Sequence, residues 1–182
     1  MSTIVEPLYT PFVRACSMPS SDTVRTLLAD PSTNPASHAS FAIYNIMSHY
    51  DNADVMKLVL ADGRADPMVN DGYALVMAIL LNRVKCAHAL LDDPRVDPSV
   101  RDNRALLLAV RNGHLDIVER LLADPRVDPS SNNNQCIRSA MIRGHLEIAE
   151  RLVSDRRVLV GLVQDISEDS PAYKEEMSHS TN

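Results

Sequence analysis

Six histidines, three cysteines and a recurring pair of aspartates are the groups in this 182-residue chain on which chemistry would draw. His114 and His145 each follow a glycine in near-identical phrases, and a metal or acid–base role for them rests on that coincidence alone. His88 has no cysteine or carboxylate at ligand spacing, so no zinc pattern forms. Cys16, Cys86 and Cys136 fall where helices carry alanine-like residues, and we read them as small buried thiols, not nucleophiles. Odd in number and widely spaced, they make no disulfide framework, which points to a reducing, intracellular and cytoplasmic setting. The pairs Asp93/Asp97 and Asp124/Asp128 invite calcium. Each of these aspartates is followed by proline, and no bidentate glutamate stands at the needed distance, so turn-making is the reading. GxGxxG, GxxxxGK[ST], GxSxG and HExxH are all absent. No catalytic residue, metal or cofactor is expected, and the chain is not read as an enzyme.

The elements that carry these groups repeat. Heptads starting at Asp62 (DGRADPM), Asp93 (DPRVDPS) and Asp124 (DPRVDPS) stand 31 residues apart, Asp155 continues the step, and Asp30 lies 32 residues before Asp62. Between these marks NGHLDIVERLLADPRV (112–127) is echoed by RGHLEIAERLVSDRRV (143–158). A period of this size implies stacked units, each too small to bury its apolar face alone. We place five units, near 8–34, 35–66, 67–97, 98–128 and 129–158, with a short cap to 163.

Residues 98–128 show what one unit is made of. Asp102 and Asn103 precede ALLLAVRN and are placed to cap a first helix of about two turns. Asn112-Gly113 stops it, because glycine takes the left-handed conformation without penalty. Leu115, Ile117, Val118, Leu121 and Leu122 then make one apolar stripe of a second helix, with Asp116, Glu119 and Arg120 outward. Asp124-Pro125 ends that helix, and RVDPS crosses to the next unit with Val127 as its anchor. Asn82 stands in for Gly113 in the third unit, and Asn132, Asn133 and Asn134 offer capping oxygens in the fifth.

GHLDIV (113–118) and GHLEIA (144–149) resemble the second-helix signature of ankyrin repeats, and TPFVRAC (10–16) resembles the family's opening TPLHLAA. The likeness covers about residues 8–158. It implies an all-α fold, an ankyrin-like helix-turn-helix solenoid with short hairpin or loop connectors. It also implies that His114 and His145 are structural, tying helix ends to loops. The Thr-Pro pair is lost after the first unit, becoming Arg104-Ala105 and Gln135-Cys136. The period of 31 falls short of the roughly 33 usual for the family, so the connecting fingers are expected to be short and contacts to move onto the helix ends.

The resemblance places the last residues of each first helix on the concave face. The candidate contact residues are His49, Tyr50, Leu80, Leu81, Arg111, Asn112, Ile142 and Arg143, with Ser17-Met18 as the matching pair in the first unit. Leu80 has a second reading, rotation into the core. The implied function is non-enzymatic: protein–protein interaction through the concave face by a scaffold that is a monomer when free. The alternative is a structural subunit of a larger assembly. Arg14 sits where inner repeats carry Leu108 or Ile79, which suits an N-terminal cap. Val158–Val163 is either a truncated helix that closes the last unit or a face that another chain covers.

Charge argues against nucleic acid. It sums to −4 over residues 1–100, +2 over 101–158 and −4 over 159–182, without the basic excess of such binders. No apolar run approaches the roughly 18–20 residues that cross a bilayer, and MSTIVEPLYT lacks the pattern of a secretion signal. Residues 164–182 read as an acidic, disordered tail.

Overall fold

Helices in pairs are what the 31-residue period builds. A computed structural model describes the backbone of residues 10–169, and the side chains of these except 37–40, 161 and 164–169. Eleven helices and no strand occur among the described residues. They fall into two compact units, Met1–Arg101 and Asp102–Asn182. The division falls just after the start of the fourth repeat.

In the first unit, α1 (Pro11–Cys16), α3 (Ser37–His49) and α5 (Val69–Leu80) are the first helices of their repeats. Their partners are α2 (Asp22–Leu28), α4 (Ala53–Asp62) and α6 (Val84–Leu91). First helices pack in sequence, α1 on α3 and α3 on α5, and second helices likewise, α2 on α4 and α4 on α6. Two layers result, and each repeat touches only its neighbours. Val13, Ile43, Ile46, Met47, Met56, Val59, Ile79 and Leu90 are buried between them. Thr10 opens α1 as its amino acid type dictates: its Oγ1 accepts from the Val13 amide at 3.2 Å, and Pro11 takes the first helical position. Arg14 is exposed, while Leu108 and Ile79, its counterparts in inner repeats, are buried.

In the second unit, α7 (Val100–Asn112, all but its first two residues) leads to α8 (Leu115–Leu122), and α9 (Ser131–Arg143) to α10 (Leu146–Val153). The stripe of α8 is buried at Ile117, Val118, Leu121 and Leu122, with Asp116 and Glu119 outward. Asp116 in the first turn and Arg120 in the last complement the helix dipole. Burying a leucine such as Leu121 contributes about 1.5–3 kcal/mol. Leu115 departs from the expected stripe: it is only half-buried, and its counterpart Leu146 is exposed. Both occupy the first helical position after the turn, at the edge of the stripe.

The residues expected to cap the first helices do something else. Arg101, Asp102 and Asn103 all have left-handed backbone, as do Asn132, Asn133 and Asn134, and Asn70, Asp71 and Gly72. Each trio forms a single left-handed turn ahead of its right-handed helix. Asparagine, aspartate and glycine tolerate that region best, which explains why they cluster there. Asn103 is buried. Its Oδ1 accepts from the Asp128 amide at 2.9 Å and its Nδ2 donates to Ser131 Oγ, so it joins two repeats instead of capping its own helix.

The last helix, α11 (Arg156–Asp169), packs on α9 and α10 and buries Val158. It runs on to Asp169, six residues into the stretch read as a disordered tail. Residues 170–182 lie outside those described.

Candidate functional site

Within each unit, rows of side chains that recur along the chain position the helix ends on which the candidate residues lie. The first row is a clasp in the DxR phrase. Asp62, Asp93, Asp124 and Asp155 each receive the guanidinium of the arginine two residues later in a two-pronged pair. Arg64, Arg95 and Arg157 also reach into the preceding repeat. Arg64 donates to the carbonyls of Thr33 and Leu28 at 2.7 and 2.9 Å. Arg95 donates to Leu60 at 2.9 Å, Ala65 at 3.1 Å and Gly63 at 3.3 Å. Arg157 donates to Val127 at 2.7 Å and Leu122 at 3.5 Å. The carbonyls of Leu60 and Leu122 belong to the last turns of second helices, where the partial negative charge collects. Hydrogen bonding by the arginine holds all four carboxyls below the ordinary carboxylate range. Only arginine has the planar fork to serve a carboxylate and carbonyls together. The sequence reading saw proline and valine in this phrase and passed over the arginine, although its strict recurrence at 64, 95, 126 and 157 was the available signal.

The second row lies at positions 52, 83 and 145, just before the second helices. Asn52 donates to the carbonyls of Met18 and Pro19, Arg83 to that of Met47 at 2.8 Å, and His145 Nε2 pairs with that of Arg111 at 3.2 Å. Arg83 and His145 thus satisfy open carbonyls in the last turns of the previous first helices, and Asn52 reaches carbonyls just beyond the end of α1. His145 has the structural role its position implied. Its ring also covers Gly113, whose φ is +77°. Asp51 adds a link of its own kind, accepting from the Lys85 and Cys86 amides at the start of α6.

The third row is the series of turns after each second helix. Asn34, Asp66, Asp97 and Asp128 each accept, through Oδ1, the amide two residues on, as turn-forming side chains do. These bonds assign the second aspartate of each pair to the turn and the first to the clasp.

Held by these rows, the ends of the first helices are presented to solvent. His49 and Tyr50 are exposed at the end of α3. Leu80 is 47% and Leu81 40% exposed at the end of α5, so Leu80 does not rotate into the core. In the second unit Asn112 and Arg143 are exposed, Arg111 is half-buried and Ile142 is 86% exposed. Met18, Met141 and Leu146 extend this apolar exposure, and sequence reading had not singled out the last two. Leu146 was missed because it occupies a position that periodicity assigns to the core.

Burial pushes the Cys16, Cys86 and Cys136 thiols up to about 12, so none supplies a thiolate at neutral pH. Among the described residues, no group of three or more histidines, cysteines or carboxylates is placed to hold a metal ion. No described helix is long and apolar enough to cross a membrane.

Residues 75–122, from α5 to the end of α8, match the family model described as ankyrin repeats in many copies. No curated protein and no solved structure matches the chain.

Proposed function

Because this chain carries ankyrin repeats, whose general task is to bind other proteins, we propose that it is a non-enzymatic interaction module that meets its partner with the ends of its first helices. The observation that carries this reading is the exposure of apolar side chains there. Leu80, Leu81 and Tyr50 in the first unit, and Ile142 in the second, face water at positions that a lone structural protein would fill with polar residues. Large apolar and aromatic groups of this kind are the anchors that dominate protein interfaces. Their backbone is fixed before binding, since Arg83 and His145 tie down the helix ends at Met47 and Arg111. Little ordering cost remains to be met on association. Arg111 and Arg143 favour a partner segment whose apolar residues are flanked by acids.

A photo-crosslinking residue placed at Leu81 or at Ile142 tests the proposal in cells. Capture of one defined protein is expected at these sites and not at Lys57 or Glu150, which are exposed on second helices. Equal capture at Lys57 and Glu150, or none at Leu81 and Ile142, would move the interface elsewhere.

A further inference from the structure

The two helix layers of the second unit carry opposite charge. From Asp102 on, the first helices α7 and α9 hold Arg104, Arg111, Arg138 and Arg143 against one acid, Asp102 itself. The second helices α8 and α10 hold Asp116, Glu119, Glu147 and Glu150 against Arg120 and Arg151. The arginines of the connecting phrases are occupied, Arg126 by Asp124 and Arg157 by Asp155. Arg138 donates to the carbonyl of Asn132 at 3.2 Å. Arg104, Arg111 and Arg143 differ: among the described residues, their guanidinium groups enter no ion pair or hydrogen bond. Arg104 and Arg111 stand seven residues apart, two helical turns, so they share one face of α7 with about 10 Å between them along the axis. Ile142 follows Arg111 by 31 residues and holds the same place at the end of α9. The two helix ends adjoin. His145 pairs with the Arg111 carbonyl, and while burial raises the Cys136 thiol of α9, the charge of Arg111 opposes it. Two arginines without counter-ions in the fold thus flank an apolar side chain that is 86% exposed.

We infer that this face, taken as part of the interaction surface proposed above, receives an acidic protein segment whose carboxylates meet Arg104 and Arg111 and whose apolar side chain covers Ile142. Arginine suits the task because its planar fork takes a carboxylate by two parallel bonds. Complementary charge steers the encounter, and the apolar contact at Ile142 holds the complex once formed. Nucleic acid fits the face less well. Residues 102–169 contain no aromatic side chain on which bases could stack. The acids of α8 and α10 also repel a polyanion that extends around the unit.

Fluorescence anisotropy of the full chain with a labelled peptide of glutamates around a central leucine tests the inference. A glutamine peptide of the same length and a single-stranded oligonucleotide serve as comparisons. The glutamate peptide should bind at about 0.01 M salt and weaken as salt rises to about 0.15 M. The glutamine peptide should bind at least about tenfold less tightly. Arg104→Glu and Arg111→Glu should each weaken glutamate-peptide binding about tenfold or more, whereas Lys57→Glu in the first unit should leave it unchanged. A thermal midpoint within about 2 °C of the parent shows that a variant is folded. Arg104 is exposed, so Arg104→Glu carries the test alone if the half-buried Arg111 does not tolerate exchange. An unbound glutamate peptide, equal binding of the glutamine peptide, tighter binding of the oligonucleotide, or full affinity in Arg104→Glu would each overturn the inference. Crosslinking at Ile142 separates this failure from that of the interaction role. Capture of a protein there while the glutamate peptide goes unbound removes the acidic segment and keeps the role; Arg104-dependent peptide binding without capture does the reverse.

Discussion

Replacing Arg95 with alanine removes one clasp. The arginine makes a two-pronged pair with Asp93, at 2.9 and 2.6 Å, and three bonds to carbonyls of the preceding repeat. A bond to a charged group contributes about 1.5–3 kcal/mol when shielded. The Arg95 side chain is 37% exposed, so water replaces part of what is lost, and simple addition would overstate the effect. Against that, the Asp93 side chain is only 8% exposed and would be left charged with its partner gone. Weighing these, the expected loss is about 2–3 kcal/mol. Urea unfolding followed by circular dichroism measures it, with Lys57→Ala as an exposed control expected to change stability by less than about 0.5 kcal/mol. Arg95→Lys is the discriminating variant. It keeps the charge but not the fork, so it should lose more than half of what alanine loses. A loss below about 0.5 kcal/mol in Arg95→Ala, or a lysine variant as stable as the parent, would refute the clasp as the tie between repeats.

Two glycines offer a paired test of backbone strain against contact. Gly113 and Gly144 both have left-handed backbone, but a Cβ at 113 would lie 2.9 Å from the His145 ring, whereas one at 144 meets nothing within 4 Å. Gly144→Ala should therefore cost about 1 kcal/mol and Gly113→Ala clearly more, by thermal or urea unfolding; equal losses would show that the His145 packing carries no weight. The clasps also set an acid limit. With the aspartate carboxyls held low in the folded chain, the unfolded chain binds more protons between the folded value and the ordinary value of about 3.9. The stability they contribute is thus present above that range and lost as pH falls through the folded values. The urea midpoint should drop on acidification below about pH 4, and Asp93→Asn should make that drop shallower; a midpoint that rises in this window contradicts the arrangement.

How much of this was legible in the residues depends on the range of the interaction. The period, the helix pairs and the left-handed stops at Asn82 and Gly113 rest on local patterning, and the structure has all of them, with φ of +55° and +77° at the two stops. Features that join one repeat to the next were harder to see. Asn103 looks like a helix cap because its type and position suit one, yet its partners are Asp128 and Ser131 in the following repeat. Arg95 looks like a solvated charge until Leu60 and Ala65 are brought to it. The surface shows the same division. Apolar pairs at helix ends could be named from sequence, but the exposure of Leu146 could not. Its equivalent Leu115 is half-buried, and both follow the same Gly-His pair, which offers no means of telling them apart.

The central claim is that first-helix ends carry the binding function. The most direct measurement is the affinity of the crosslinked partner, once purified, for the parent chain and for Leu81→Asp by isothermal titration calorimetry. Leu81 is exposed, so the variant should keep its thermal midpoint within about 2 °C. The account predicts that binding weakens by at least about 30-fold, the loss of an interface anchor worth about 2 kcal/mol. Unchanged affinity with the midpoint preserved would contradict it.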